Sequence, residues 1–259
     1  METAVVYSNL GSIQRVLKKY KDAVSSFSEA IRIRQEIQPE KLINLIPLYE
    51  SVAFCNSEQG NVKEGDRNFQ IALDLAEKTN SLNSKGGFYL TLGSARNAAK
   101  LNDFDRSFDL YKRAKALSFL HFEIDSLERV ELMESYACNF LAAAPRQEQI
   151  EEFRALGTRL KDEETKRSGG RVEHGKALRL AAPRYPPTAR SSRLYGEVYV
   201  RIRIDSEGKV VSAKWICSNP FLGQSAAAAA MKAVFSPTIK NGIPIEIEGL
   251  ITYKFELPR

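Results

Sequence analysis

Small residues stand at Gly11, Ala53, Ala95 and Ala137, each 42 positions after the last. A spacing kept over so much chain is the mark of a repeated supersecondary unit, and it constrains the fold more than any composition does. Three further columns keep the same register. Ala23, Gly65 and Ser107 lead to Gln149; Phe27, Phe69, Tyr111 and Phe153 are aromatic throughout; Ala30, Ala72 and Ala114 lead to Leu156. Within each unit the two small residues and the aromatic are 12 and then 4 positions apart. The pattern predicts antiparallel helix pairs, in which small residues let two backbones approach and the aromatic fills the space toward the next pair. The fourth unit has lost the small residues of its second helix, as expected of a pair that closes a stack.

The first unit, YSNLGSIQRVLKKYKDAVSSFSEAI, resembles a tetratricopeptide repeat: Leu10, Gly11, Tyr20, Ala23, Phe27 and Ala30 stand where that family places its leucine-glycine, aromatic, alanine, aromatic and alanine. Ala53, Phe69, Ala72, Ala95, Tyr111 and Ala114 continue the signature. The family's usual period is 34, so the helices here are expected to be longer by about two turns in all. The resemblance implies an all-α superhelix of helical hairpins over residues 1–157, whose concave face binds a peptide or helix. Asn9, Asn56, Arg96 and Asn97 are candidate groove contacts, with a solvated helix surface as the alternative.

No phosphate-binding loop, GxSxG or HExxH motif occurs, and no acid, base or nucleophile constellation argues for an enzyme. Two histidines, His121 and His174, are too scattered to suggest a metal site, and no cofactor is expected. Cys55, Cys138 and Cys217 form no CxxC pair, and an odd number is no disulfide framework, so they are expected to be small buried residues. No apolar run reaches the length of a membrane span, and METAVVYSNLGS does not read as a signal peptide.

Charge divides the chain. Residues 177–259 hold 12 of the 38 Lys and Arg but 6 of the 32 Asp and Glu, leaving 26 of each in the rest. The second module is therefore the one suited to an anionic surface. Between the two, residues 158–176 (TRLKDEETKRSGGRVEHGK) are mostly charged, which predicts a short helical extension and then a flexible linker. The alternative is a surface helix broken at Ser168.

From RYPPTAR (184–190) the pattern changes. Two prolines exclude a helix there. Then Val198, Val200, Ile202 and Ile204 alternate with Tyr199, Arg201, Arg203 and Asp205, the period of a half-buried strand with its polar face in solvent. A turn at Asp205–Gly208 leads to a second strand over Val210–Ile216. Ser218-Asn219-Pro220 offers a helix start, with a helix over Leu222–Val234. Lys240-Asn241-Gly242 is a turn, and Ile243–Leu257 is a strand divided at Gly249. The fold class expected is thus multidomain, a helical-hairpin superhelix followed by a small α+β (β-β-α-β) domain over 177–259.

The second module resembles the C-terminal domain of TonB-type energy transducers. The resemblance rests on Tyr185, Pro186 and Ala189, on Gly196 before the first strand, and on the Asp205, Gly208 and Val210 turn. Phe235 and Pro237 follow the helix, then Asn241, Gly242 and Pro244, and the last strand ends on Phe255 and Leu257. The join MKAVFSP is shorter than the family's, which carries a tryptophan. The resemblance implies a periplasmic protein that supports transmembrane transport by binding an extended outer-membrane receptor segment, which adds as a strand to the sheet. The pairing edge is expected at Leu250, Ile251, Thr252, Tyr253, Lys254, Phe255 and Glu256, though the polar members of this set also suit an edge merely protected against aggregation. The family's membrane helix and proline-rich spacer do not occur in these residues. Two expectations follow: an inner-membrane-associated transducer lacking its anchor, or a relative that only binds. The alternative is a soluble two-module scaffold unrelated to transport, cytoplasmic if Met1 is the true start. Nucleic acid is not an expected partner; an anionic cell-wall polymer is a further candidate.

Overall fold

A computed structural model describes residues 2–141 and 146–257; Met1 and the last two residues of the expected C-terminal domain lie outside them. The chain divides into two compact units, Met1–Leu117 and Ser118–Arg259. The division falls well before the 157/158 boundary expected from sequence.

The N-terminal unit is built from α1 (Glu2–Val16), α2 (Tyr20–Ile37), α3 (Ile46–Glu58), α4 (Val62–Lys78), α5 (Lys85–Lys100) and most of α6 (Phe104–His121). The period-42 columns are its close approaches. A Cβ on Gly11 would stand 2.9 Å from the Phe27 ring, and one on Gly65 2.9 Å from the Ala53 carbonyl oxygen. Ser107 Oγ donates to the Ala95 carbonyl at 3.0 Å. Phe27, Phe69 and Tyr111 are buried, as are Ala30, Ala72 and Ala114. The turn inside each hairpin adds a column that the sequence hides: Lys18, Gly60 and Asn102, again 42 apart, all have positive φ (57°, 86° and 61°). Three different residue types meet one backbone demand, so no sequence match shows it.

In the C-terminal unit, α7 (Leu127–Ser135) runs into a π-helical turn (Tyr136–Phe140), and α8 spans Gln147–Arg167. The expected flexible linker over 158–176 is corrected here in favour of its alternative: the segment is helix as far as Arg167, ends on Ser168, and after the turn at Gly169 and Gly170 enters strand β1 (Val172–Glu173), with β2 (Ala177–Arg179) following. Gln149, Phe153, Gly157 and Glu164 form the buried row of α8. Two members of that row are polar, so the segment reads as solvated although one face is not.

RYPPTAR is corrected in part. Pro187 begins the one-turn helix α9 (Pro187–Ser191), where a missing N–H costs nothing. The central sheet is β3 (Gly196–Ile204), β4 (Val210–Ile216) and, last in the chain, β8 (Ile247–Phe255), in the antiparallel order β4-β3-β8. Helix α10 (Pro220–Ala230) begins on Asn219, whose side chain accepts from the Phe221 N–H at 3.0 Å. Three short strands lie between: β5 (Val234–Phe235), β6 (Thr238–Lys240) and β7 (Ile243–Ile245). Of these, β6 pairs with β1 and β7, and β5 pairs with β2. The break in the last segment falls at Glu246 rather than at Gly249, which stays paired opposite Ile202. The strands on either side of Glu246 have different partners, and that divides them.

Two links tie helices to strands inside this unit. Cys138 and Cys217 form a disulfide with Cα atoms 5.3 Å apart, which corrects the expectation that all three cysteines are merely packed; Cys55 alone is free and buried. Arg129 donates to both oxygens of Glu164, at 2.6 and 3.1 Å, and His174 Nε2 lies 3.1 Å from the same carboxylate. Burial pushes the Glu164 carboxyl up, but its contacts with His174 and Arg129 outweigh this and hold it down at about 2. The folded value lies below the ordinary 4.5, so the stabilisation is present above that pH and is lost as pH falls toward 2. Replacing Glu164 with Ala leaves Arg129 buried without its counter-charge, with an expected cost of about 3 kcal/mol to the C-terminal unit. Urea melts at neutral pH check the cost, and melts from pH 5 to 2 should show a shallower acid loss in the variant.

Candidate strand-pairing edge

The inner face of the central sheet is set by alternation. Val198, Val200, Ile202 and Ile204 of β3 and Ile251, Tyr253 and Phe255 of β8 are buried with Leu222, Ala226, Ala229 and Ala230 of α10. The alanines let α10 lie close to the strands, and Gly223 admits the Trp215 indole, which a Cβ there would meet at 2.6 Å.

This arrangement fixes β8 as a terminal strand. Among the described residues it pairs with β3 alone, from Ile247 opposite Ile204 to Phe255 opposite Gly196. Every second N–H and C=O along it therefore points away from the sheet, the template that an added strand requires. The residues expected at the edge split by face. Ile251, Tyr253 and Phe255 are buried, Leu250 is half-buried, and Thr252, Lys254 and Glu256 are exposed. Glu256 lies just past the strand and pairs with Lys254 at 2.8 Å. Helix α7 packs beside β8, so the strand is most open toward its C-terminal end, where Thr252 and Lys254 are exposed.

Residues around the edge are mainly architectural. The Tyr185 hydroxyl donates to the Leu194 carbonyl, and its ring meets Phe255 edge-on at 5.5 Å, with the Arg190 guanidinium 5.8 Å from the ring centroid. Tyr185 thus clasps the end of β8. Pro186 caps α9, and Ala189 is fully buried in it. Gly196 opens β3 at φ 128°, and Gly208 at φ 87° leaves no room for a Cβ, which would stand 2.0 Å from the Phe235 carbonyl oxygen. Asn241 and Gly242, both with positive φ, turn β6 into β7; Phe235 lies in β5, Pro237 just before β6, and Pro244 in β7.

The outer face of β3 is solvated only in part: Arg203 is exposed, but Tyr199 and Arg201 are covered to different degrees. Tyr199 is buried, and its hydroxyl donates to Glu197 at 2.6 Å. Burial and that carboxylate push its ionisation upward. Arg201 binds Glu248 on β8 and reaches Glu134 on α7 at 3.1 Å. No periodicity could have shown this, because the covering residues lie in a distant part of the sequence. In the helical unit the expected groove contacts also separate. Asn9 is exposed and Arg96 half-buried, whereas Asn56 and Asn97 are buried. Asn97 Nδ2 donates to the Val62 carbonyl and to Asp66, both at 3.2 Å, which makes it a tie to α4.

Residues 181–257 match the family model of the Gram-negative bacterial TonB protein C-terminal, so this part of the chain is a TonB C-terminal domain, a protein-interaction domain without enzymatic chemistry. No curated protein matches the chain. Among solved structures it is similar to BtubC (BKLC) from P. vanneervenii, with 14% identity and a TM-score of 0.50, over 61% of each chain. The chain thus spans about three fifths of that protein's length, and the likeness is one of fold alone. No helix among the described residues is long and apolar enough to cross a membrane.

Replacing Tyr185 with Phe removes only the bond to Leu194, with an expected loss of about 1 kcal/mol. Replacing it with Ala also empties the place beside Phe255, for about 3 kcal/mol. Hydrogen exchange should show both losses in residues 185–257, with protection in α1 to α5 unchanged.

Proposed function

We propose that this chain is a TonB-type binding component of the periplasm. The helical array, of tetratricopeptide type, holds a partner protein, and β8 receives an extended segment of an outer-membrane receptor, supporting transmembrane transport. The observation that carries this reading is the terminal position of β8 in a TonB C-terminal domain. Its outward backbone groups supply affinity, and exposed Thr252 and Lys254 beside them supply selectivity. The Cys138–Cys217 bond supports the compartment, since disulfides persist where thiols are not kept reduced.

Titrating the full chain with an extended receptor-derived peptide should shift backbone amides along 250–256, most strongly over 252–256. Unmoved amides there would sink the strand-addition claim. The compartment has a separate check. Protein taken from cells without reductant and then unfolded should react at one thiol, Cys55, which burial holds at about 11 in the folded chain. Three reactive thiols would place the chain in a reducing compartment.

A further inference from the structure

Helix α1 carries an apolar stripe turned to solvent. Val6, Leu10 and Ile13 are 63%, 41% and 58% exposed, and their i, i+4, i+7 spacing puts them on one face. The repeat says what this face is for. Forty-two residues on, the same positions are Leu48, Val52 and Cys55 of α3, which are 2%, 4% and 0% exposed. After another 42 they are Leu90, Ser94 and Asn97 of α5, all buried. In both places the cover comes from the second helix of the preceding hairpin. Leu48, Val52 and Cys55 share one cluster with Ala23, Phe27, Ala30 and Ile31 of α2, and Leu90 packs with Phe69, Ala72 and Ala76 of α4.

We infer that the Val6, Leu10 and Ile13 face of α1 is a docking site for the second helix of a further hairpin of this same repeat. The occupant is an amphipathic helix whose buried face reads small-x3-aromatic-x2-small, as Ala23, Phe27, Ala30 and Gly65, Phe69, Ala72 do. The site continues the interface already formed twice inside the chain, in the same register. A second copy fits it worse. Two α1 helices would meet through Val6, Leu10 and Ile13 alone, without the small-residue row that lets α2 and α4 lie close. Leu17, 61% exposed just past the end of α1, extends the stripe by one more anchor.

The test is to titrate the full chain, labelled at its methyl groups, with an acetylated and amidated peptide of residues 62–78, the sequence of α4. Saturable shifts are expected at Val6, Leu10 and Ile13, with none from a scrambled peptide. The Leu10→Lys, Ile13→Lys double variant should lose them while keeping the parent's circular dichroism and melt, since both side chains are exposed. No shift at millimolar peptide, or the same shift in the variant, overturns the inference. So does sedimentation showing a dimer of the chain that the variant dissolves, because the occupant would then be a second copy.

Discussion

A three-stranded sheet with one helix on it has a second face, and what covers that face decides how the rest of the C-terminal unit is built. On β3 this face carries Tyr199 and Arg201. The phenol is buried and bonds Glu197, while the half-buried guanidinium bonds Glu248 within the sheet and reaches Glu134 on α7. The compact unit that begins at Ser118 accordingly takes in the fourth helix pair together with the sheet. With one face of β3 packed on α10 and the other partly covered, the sheet ends in two edge strands, β4 and β8, and it is β8 for which the strand addition is proposed. The β8 edge offers outward main-chain groups with exposed Thr252 and Lys254 beside them, in keeping with the strand addition proposed for it.

The disulfide belongs to the same junction. Cys138 sits in the π-helical turn after α7 and Cys217 just past β4, at a sequence separation of 79. Closing so long a loop restricts the unfolded chain, which on the chain-entropy account stabilises by roughly 4 kcal/mol. The stabilisation falls on contacts between helix and sheet rather than on either alone. The Arg129, Glu164 and His174 cluster does the same by charge, holding the end of α8 beside the start of β1. Neither link would be needed if residues 158–176 were a free tether.

Much of this was legible in the sequence, and the misses have physical causes. The period-42 columns mark places where two helices come within contact of each other, where only small side chains fit, so they survive in the sequence. The alternation through Val198 to Ile204 shows one face of β3 because an apolar core selects for it. The other face was misread because Tyr199 and Arg201 look the same whether water or a helix lies over them. Residues 158–176 read as solvated for a related reason, since the buried residue of α8 within them is the charged Glu164. The cysteine pair was hidden by sequence distance. The β8 edge was legible as a strand, while its openness followed only from the pairing order.

The left-handed column at Lys18, Gly60 and Asn102 shows how far the repeat governs the N-terminal unit. A lysine in that conformation costs about 1 kcal/mol or more relative to glycine. The chain accepts it because the hairpin turn is dictated by the helix pair around it. A backbone that imposes the same turn on lysine, glycine and asparagine imposes the same packing on the faces beside them. The solvent-facing stripe of α1 is then the first copy of a surface whose second and third copies are filled, rather than an ornament of one helix. In α3 the row is apolar and in α5 it is Leu90, Ser94 and Asn97, and in both it is buried under the preceding hairpin, which is the form of cover proposed for α1.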